Sequence, residues 1–180
     1  MTFDKKELEQ FSKKLKAGEA VAAPAEGVYG YCADPFNETA LEKLLDIKKR
    51  TAGKGFITLI RNWRDLDKLA RPLSEEDMQT LKEHWPGQVT FIFPAADGVP
   101  ELLTGGRGTV AVRLPAVDYM HEYLEAWGGP LVSTSANISG QRPALSVKDL
   151  QEDVFALHIK TPLSGGVSKV IDLKTGNRLR

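Results

Sequence analysis

Four short segments carry the residue types that could do chemistry. In Ser133-Thr134-Ser135-Ala136-Asn137-Ile138-Ser139-Gly140, four hydroxyls and one amide occur within seven residues, directly after an apolar strand. Such a segment can line a pocket with short donors and acceptors, or offer backbone N–H groups to an anion. Lys48-Lys49-Arg50, followed by Lys54, gathers point charges and a planar guanidinium fork, a set suited to a triphosphate. Pro24-Ala25-Glu26-Gly27-Val28-Tyr29-Gly30 places a carboxylate between glycines that permit close backbone approach; Glu26 could serve an amine or a metal. In Thr109-Val110-Ala111-Val112-Arg113-Leu114-Pro115 a cation interrupts an apolar strand, so Arg113 either pairs structurally or reaches into a site. Each segment also has a plainer reading: a polar surface loop, a solvated helix end, a capped turn and a structural ion pair.

Positioning these segments falls to elements that the hydrophobic pattern marks out. Leu8, Phe11 and Leu15 share one face of a helix over 4–16, with Asp4 and Glu7 as a capping box and Gly18 beyond its end. Short strands are expected at 20–23 and 28–33, on either side of the Pro24 turn. Asn37 caps a second helix whose stripe is Leu41, Leu44, Leu45 and Ile47, and which runs into the basic cluster. Further strands are expected at 56–60, 88–93, 109–114, 131–133, 154–159 and 167–173. Helices are expected at 74–85 and 117–127, with a short one from Ser146. The pattern predicts one α/β domain over residues 1–180. Its twisted, mixed sheet carries flanking helices around a concave, positively charged pocket.

Composition narrows the classes. The 180 residues carry 24 basic and 24 acidic side chains, so binding to nucleic acid through overall charge is disfavoured. No apolar run approaches the length of a membrane span, and the N-terminus lacks a signal-peptide core, which together predict a cytoplasmic protein with no membrane partner. One cysteine, Cys32, and scattered histidines at 84, 121 and 158 make no metal-ligand pattern. The common phosphate-binding glycine loops and the serine nucleophile elbow are absent. What remains is an enzyme that binds and positions its reactants.

Taken in order, several motifs resemble the YrdC-type threonylcarbamoyl-AMP synthase family, in its short single-domain form. They are Pro24-x-Glu26-x-x-Tyr29-Gly30, Lys48-x-Arg50, Trp85-Pro86-Gly87-x-x-Thr90, Val112-Arg113-x-Pro115, Ser133-x-Ser135-Ala136-Asn137-x-Ser139-Gly140 and Ser168-x-Val170-Ile171-Asp172 with Leu179-Arg180. The resemblance implies formation of threonylcarbamoyl-adenylate and pyrophosphate from L-threonine, bicarbonate and ATP, with Mg²⁺ assisting. A tRNA-modifying transfer complex would use the product downstream. By position it implies Lys48 and Arg50 as catalytic phosphate ligands. Lys54, Thr109, Ser135, Asn137, Pro143 and Arg180 would contact ATP. Gly27, Arg113, Ser133 and Ser168 would contact threonine. The chain departs from the family at Ala25 and Gly27, where threonines are usual, and at Thr51, Leu59 and Lys169. The competing reading is a non-catalytic RNA-binding protein that assists tRNA or ribosome maturation, and tRNA or double-stranded RNA is a further candidate partner.

Overall fold

The computed structural model describes residues 1–180. Seven strands join one mixed sheet: β1 (Val21–Pro24), β2 (Tyr29–Ala33), β3 (Ile57–Leu59), β4 (Val89–Pro94), β5 (Thr109–Arg113), β6 (Leu131–Ser135) and β7 (Lys169–Asp172). Their order across the sheet is β1-β2-β6-β3-β5-β4-β7. β3 pairs with β5, and β4 with β7, in parallel; the other neighbours are antiparallel.

The longer helices start where their capping residues place them. In α1 (Lys5–Lys16), Asp4 accepts from Lys6 N at 2.6 Å while Asp4 N donates to Glu7 at 3.1 Å. In α2 (Glu38–Lys48), Asn37 Oδ1 accepts from Ala40 N at 3.1 Å, and Lys49 closes the helix in the left-handed region with φ 46°. Two single-turn helices, α3 (Trp63–Leu66) and α5 (Glu101–Thr104), were not expected from periodicity. α4 (Glu75–His84) is capped reciprocally by Ser74 and Asp77, and α6 is Asp118–Trp127.

Three expectations are corrected. Residues 154–159 do not form a strand. Only Ala156 bridges to Ala22, held by bonds from Ala22 N to Phe155 O and from Leu157 N to Ala22 O. The alternation there serves packing, since Leu157 and Ala156 bury into different cores, but the ladder stops after one residue. The strand expected at 131–133 runs on through Thr134 and Ser135, because β2 continues to pair with it (Gly30 with Ser135). The last strand is shorter than 167–173 at its start, where Gly165 and Gly166 turn the chain with φ of 83° and 104°.

Side-chain alternation then decides where the cavity lies, because successive residues of a strand face opposite sides. On one face, Tyr29, Tyr31, Phe91, Phe93, Val110, Val112 and Val132 bury into the larger core, together with Leu41 and Leu44 of α2 and Leu81 of α4. On the opposite face, α1 and α6 cover β1, β2, β6 and the end of β3 through Phe11, Leu15, Met120, Tyr123 and Leu124. The rest of that face has no helix over it. Its side chains from β3, β4, β5 and β6, namely Ile57, Ile92, Thr109, Ala111, Arg113, Ser133 and Ser135, line an open cavity.

Candidate active site

The cavity measures about 890 Å³, and all four chemically suggestive segments reach its wall. Of the residues expected from sequence, Gly27, Lys48, Arg50, Lys54, Thr109, Arg113, Ser133, Ser135, Asn137, Ser168 and Arg180 all line it. Pro143 does not; it precedes Ala144, whose backbone bonds to Ala136 O and Tyr29 N. Sequence reasoning missed Arg107, which lines the same wall. The only signal was a cation in the glycine-rich run 105–108, which reads equally as a turn.

Six cationic side chains (Lys48, Arg50, Lys54, Arg107, Arg113 and Arg180) face one carboxylate, Glu26. The chain is neutral overall, so positive charge is concentrated here, as expected for a site that takes anions.

At one end, a 3-10 turn over Ala52–Lys54 carries the basic cluster against α5. The approach is close: a Cβ on Gly105 would lie 2.5 Å from Gly55 N, and both glycines adopt positive φ. Arg50 Nη2 donates to Gly55 O at 2.6 Å, and its guanidinium lies 5.3 Å from the centre of the Phe56 ring. Its Nε is buried and has no partner. Arg107 Nη2 donates to Gly53 O at 2.8 Å. Burial, and then the charge of Arg107, hold the Arg50 guanidinium below its ordinary pKa. Clustered cations with an orphaned donor and no counter-carboxylate are suited to a polyanion.

At the far end, Arg113 pairs with Glu26 and donates from Nε to Gly87 O at 2.8 Å. The turn that carries Glu26 is held from below by α6. Tyr119 OH donates to Ala25 O at 2.8 Å and Tyr123 OH to Pro24 O at 3.3 Å. Gly27 is required sterically: a Cβ there would lie 2.4 Å from Gly165 O, and Gly165 N already donates to Gly27 O. A side chain at this position has no room beneath Gly165 and Gly166. Ser168 Oγ lies 2.9 Å from Thr90 Oγ1 and accepts from Arg180 Nη2 at 3.3 Å.

Between the two ends, the Ser133–Asn137 segment is bonded internally. Ser135 Oγ donates to Asn137 Oδ1 at 2.7 Å, and Asn137 Nδ2 donates to Gln141 O at 2.7 Å. The Lys48 ammonium, expected from sequence as a phosphate ligand, donates to Ser135 O, Asn137 O and Asn137 Oδ1. Burial, and second the charge of Arg50, push this ammonium down from 10.5 to about 8. The unfolded chain therefore keeps a proton that the native state has lost between about pH 8 and 10.5. Across that window the contribution of Lys48 makes stability rise with pH; below pH 8 the penalty for burying its charge is complete. An NMR titration of protein carrying ¹³C at the lysine ε-carbons should show one resonance, lost in Lys48→Met, with a midpoint near 8. If every lysine titrates at its ordinary value, that environment for Lys48 is wrong.

No group of three or more His, Cys, Asp or Glu side chains could hold a metal ion. No helix is long and apolar enough to cross a membrane.

The fold and the sequence have counterparts elsewhere. The model of the Sua5/YciO/YrdC family, described as "Telomere recombination", matches residues 13–179. A threonylcarbamoyl-AMP synthase of Vibrio vulnificus is 38% identical over 181 residues, covering 96% of this chain and 97% of the relative. One from Coxiella burnetii is 36% identical over 174 residues, covering 93% of each. Among solved structures, P. abyssi Sua5 complexed with L-threonine superposes with a TM-score of 0.86 at 31% identity, covering 95% of this chain and 52% of that one. This chain thus spans about half the length of Sua5. E. coli YciO gives a TM-score of 0.80 at 25% identity, covering 98% of this chain and 89% of that one.

Proposed function

Because the chain belongs to the Sua5/YciO/YrdC family, we propose that it is a threonylcarbamoyl-AMP synthase. It joins L-threonine, bicarbonate and ATP into L-threonylcarbamoyl-adenylate and releases pyrophosphate, as a nucleotidyltransferase acting in the cytoplasm. One observation carries this reading most directly. A cation cluster without a counter-carboxylate and a hydroxyl-rich strand end open into the same cavity, which also holds the Glu26–Arg113 pair.

The chemistry follows from the charges. Threonine's amine forms a C–N bond to the carbon of bicarbonate-derived carbon dioxide, giving a carbamate, and the bicarbonate oxygen leaves as water with the proton lost by the amine. A carbamate oxygen then forms a bond to the α-phosphorus, and the bond from that phosphorus to the bridging oxygen of the β-phosphate breaks. The electron pair leaves with pyrophosphate. Two anions must approach, and Arg50, Lys54 and Arg107 offset their repulsion and receive the charge that develops on the leaving group. Ser135, Asn137, Thr109 and Arg180 contact the rest of ATP. Arg113, Ser133, Ser168 and the Gly27 backbone receive threonine and its carbamate. Alignment in such a site can contribute about 7–11 kcal/mol.

Glu26 is the wall's only carboxylate and is already paired, so the chain supplies no cage of its own for Mg²⁺. An ion used in the reaction would arrive on the phosphate oxygens of ATP, where it supplies further charge neutralisation. The adenylate would pass to a separate complex that carries the threonylcarbamoyl group to tRNA.

The test is pyrophosphate release by the purified protein with ATP. Release should require both L-threonine and bicarbonate, and serine should support it poorly. Release that ignores omission of threonine, or none under any combination, would refute the assignment.

A further inference from the structure

We infer that Lys48 is a positioning residue, which braces the Ser135–Asn137 end of β6 in its binding geometry and does not itself ligate the nucleotide's phosphates. This rests on the reading of the cavity as an ATP site.

A lysine ammonium has three N–H donors. Here three acceptors surround it: Ser135 O at 2.5 Å, Asn137 O at 3.0 Å and Asn137 Oδ1 at 3.2 Å. The residue is 3% exposed. Its backbone makes a fourth tie to the same segment, with Ser139 N donating to Lys48 O at 3.0 Å. A phosphate oxygen would have to displace one of these bonds to reach the ammonium. Arg50, two residues on, is the opposite case, because its Nε is buried and unpartnered. The left-handed turn at Lys49 separates the two roles: it ends α2, leaving Lys48 against the β6 segment while Arg50 turns toward Gly55.

The brace also fixes which way the Asn137 amide faces. Oδ1 accepts from both the Lys48 ammonium and Ser135 Oγ, while Nδ2 donates to Gln141 O. Without Lys48 the Ser135 and Asn137 carbonyls lose their cationic partner, and the Asn137 amide loses one of the two donors that orient it.

A double-mutant cycle separates brace from ligand. ATP and L-threonine affinities are measured by calorimetry for the wild type, Lys48→Met, Asn137→Ala and the double variant, at temperatures where thermal unfolding shows each still folded. Lys48→Met is expected to weaken ATP binding about tenfold or more, the worth of a charge-assisted bond, and to leave L-threonine affinity within about twofold, since a positioning effect acts only through the segment it holds. In the Asn137→Ala background the same change should cost clearly less than in the wild type, because Oδ1 is already gone and only the bonds to Ser135 O and Asn137 O remain to be lost. Lys48→Arg should not restore binding, because a planar fork cannot meet three convergent acceptors.

Full additivity of the two losses, or restoration of ATP binding by Lys48→Arg, would overturn the brace and return Lys48 to the phosphates. Should Lys48→Met fail to fold, Lys48→Arg and Asn137→Ala still decide the question, by restored or unrestored ATP affinity relative to the wild type. Failure of the underlying reading looks different: the wild type itself would bind no ATP.

Discussion

Arg50→Ala is expected to lower pyrophosphate release by about 10²–10³-fold, the usual loss when one preorganised donor to developing charge is removed. The protein should remain folded. Arg50 contributes to the fold through one bond to Gly55 O and its stacking over Phe56, and a cation over an aromatic ring contributes about 0.5–1 kcal/mol at an exposed site. Relief of its repulsion with Arg107 offsets part of that. The main loss therefore falls on the reaction. Arg50→Lys keeps a charge but not the fork, and should lie between the two. The measurement is pyrophosphate release at saturating L-threonine, bicarbonate and ATP beside a thermal unfolding curve. Near-normal release from a folded alanine variant would remove Arg50 from the phosphate site, and with it the main reason for placing the triphosphate at that end.

Arg113→Met should act on stability as well as on activity. The Arg113 and Glu26 side chains are only 7% and 14% exposed, and removing one partner of a buried pair leaves an uncompensated charge. Such losses run to about 3–5 kcal/mol. Gly87 O would also lose its donor. The double variant Arg113→Met with Glu26→Gln should recover much of the stability, since no net charge is then stranded, but it should not recover adenylate formation. Denaturant unfolding midpoints of the two single variants and the double separate these effects. A single Arg113→Met variant as stable as the wild type would show that Glu26 is not held by this pair. The pair also bears on substrate entry: a threonine carboxylate arriving at Arg113 shares the guanidinium with Glu26, and has its remaining donors to use.

The helices that matter were legible because local rules place them. Asp4 with Glu7, Asn37, and Ser74 with Asp77 each cap where the sequence puts them. The single turns at 63–66 and 101–104 were not, since four residues are too few to show a period. The strand character of Thr134 and Ser135 was hidden for a different reason. Hydroxyls read as loop, yet here they lie at the end of β6 with β2 alongside, and Ser135 faces a cavity instead of a core. Arg113 was legible as a cation in an apolar strand, because its neighbours Val110 and Val112 mark the buried face. Arg107 was not, since only tertiary contact with Gly53 brings it to the wall. The same holds for Lys48: sequence shows a cation at a helix end, and only the arrival of a segment 87 residues later in the chain shows what it holds.

The strand order has a consequence for biosynthesis. β6 lies between β2 and β3, and nothing else hydrogen-bonds those two strands together. While the ribosome has made only the first 130 residues, β1–β2 and β3–β5–β4 are two unjoined ribbons, and β6 acts as a keystone when it emerges. That keystone bears Ser133 and Ser135. A chain stopping short of β6 therefore lacks both the link between the two parts of the sheet and the two serines that face the cavity, while β7 with Ser168 and Arg180 is added only afterwards.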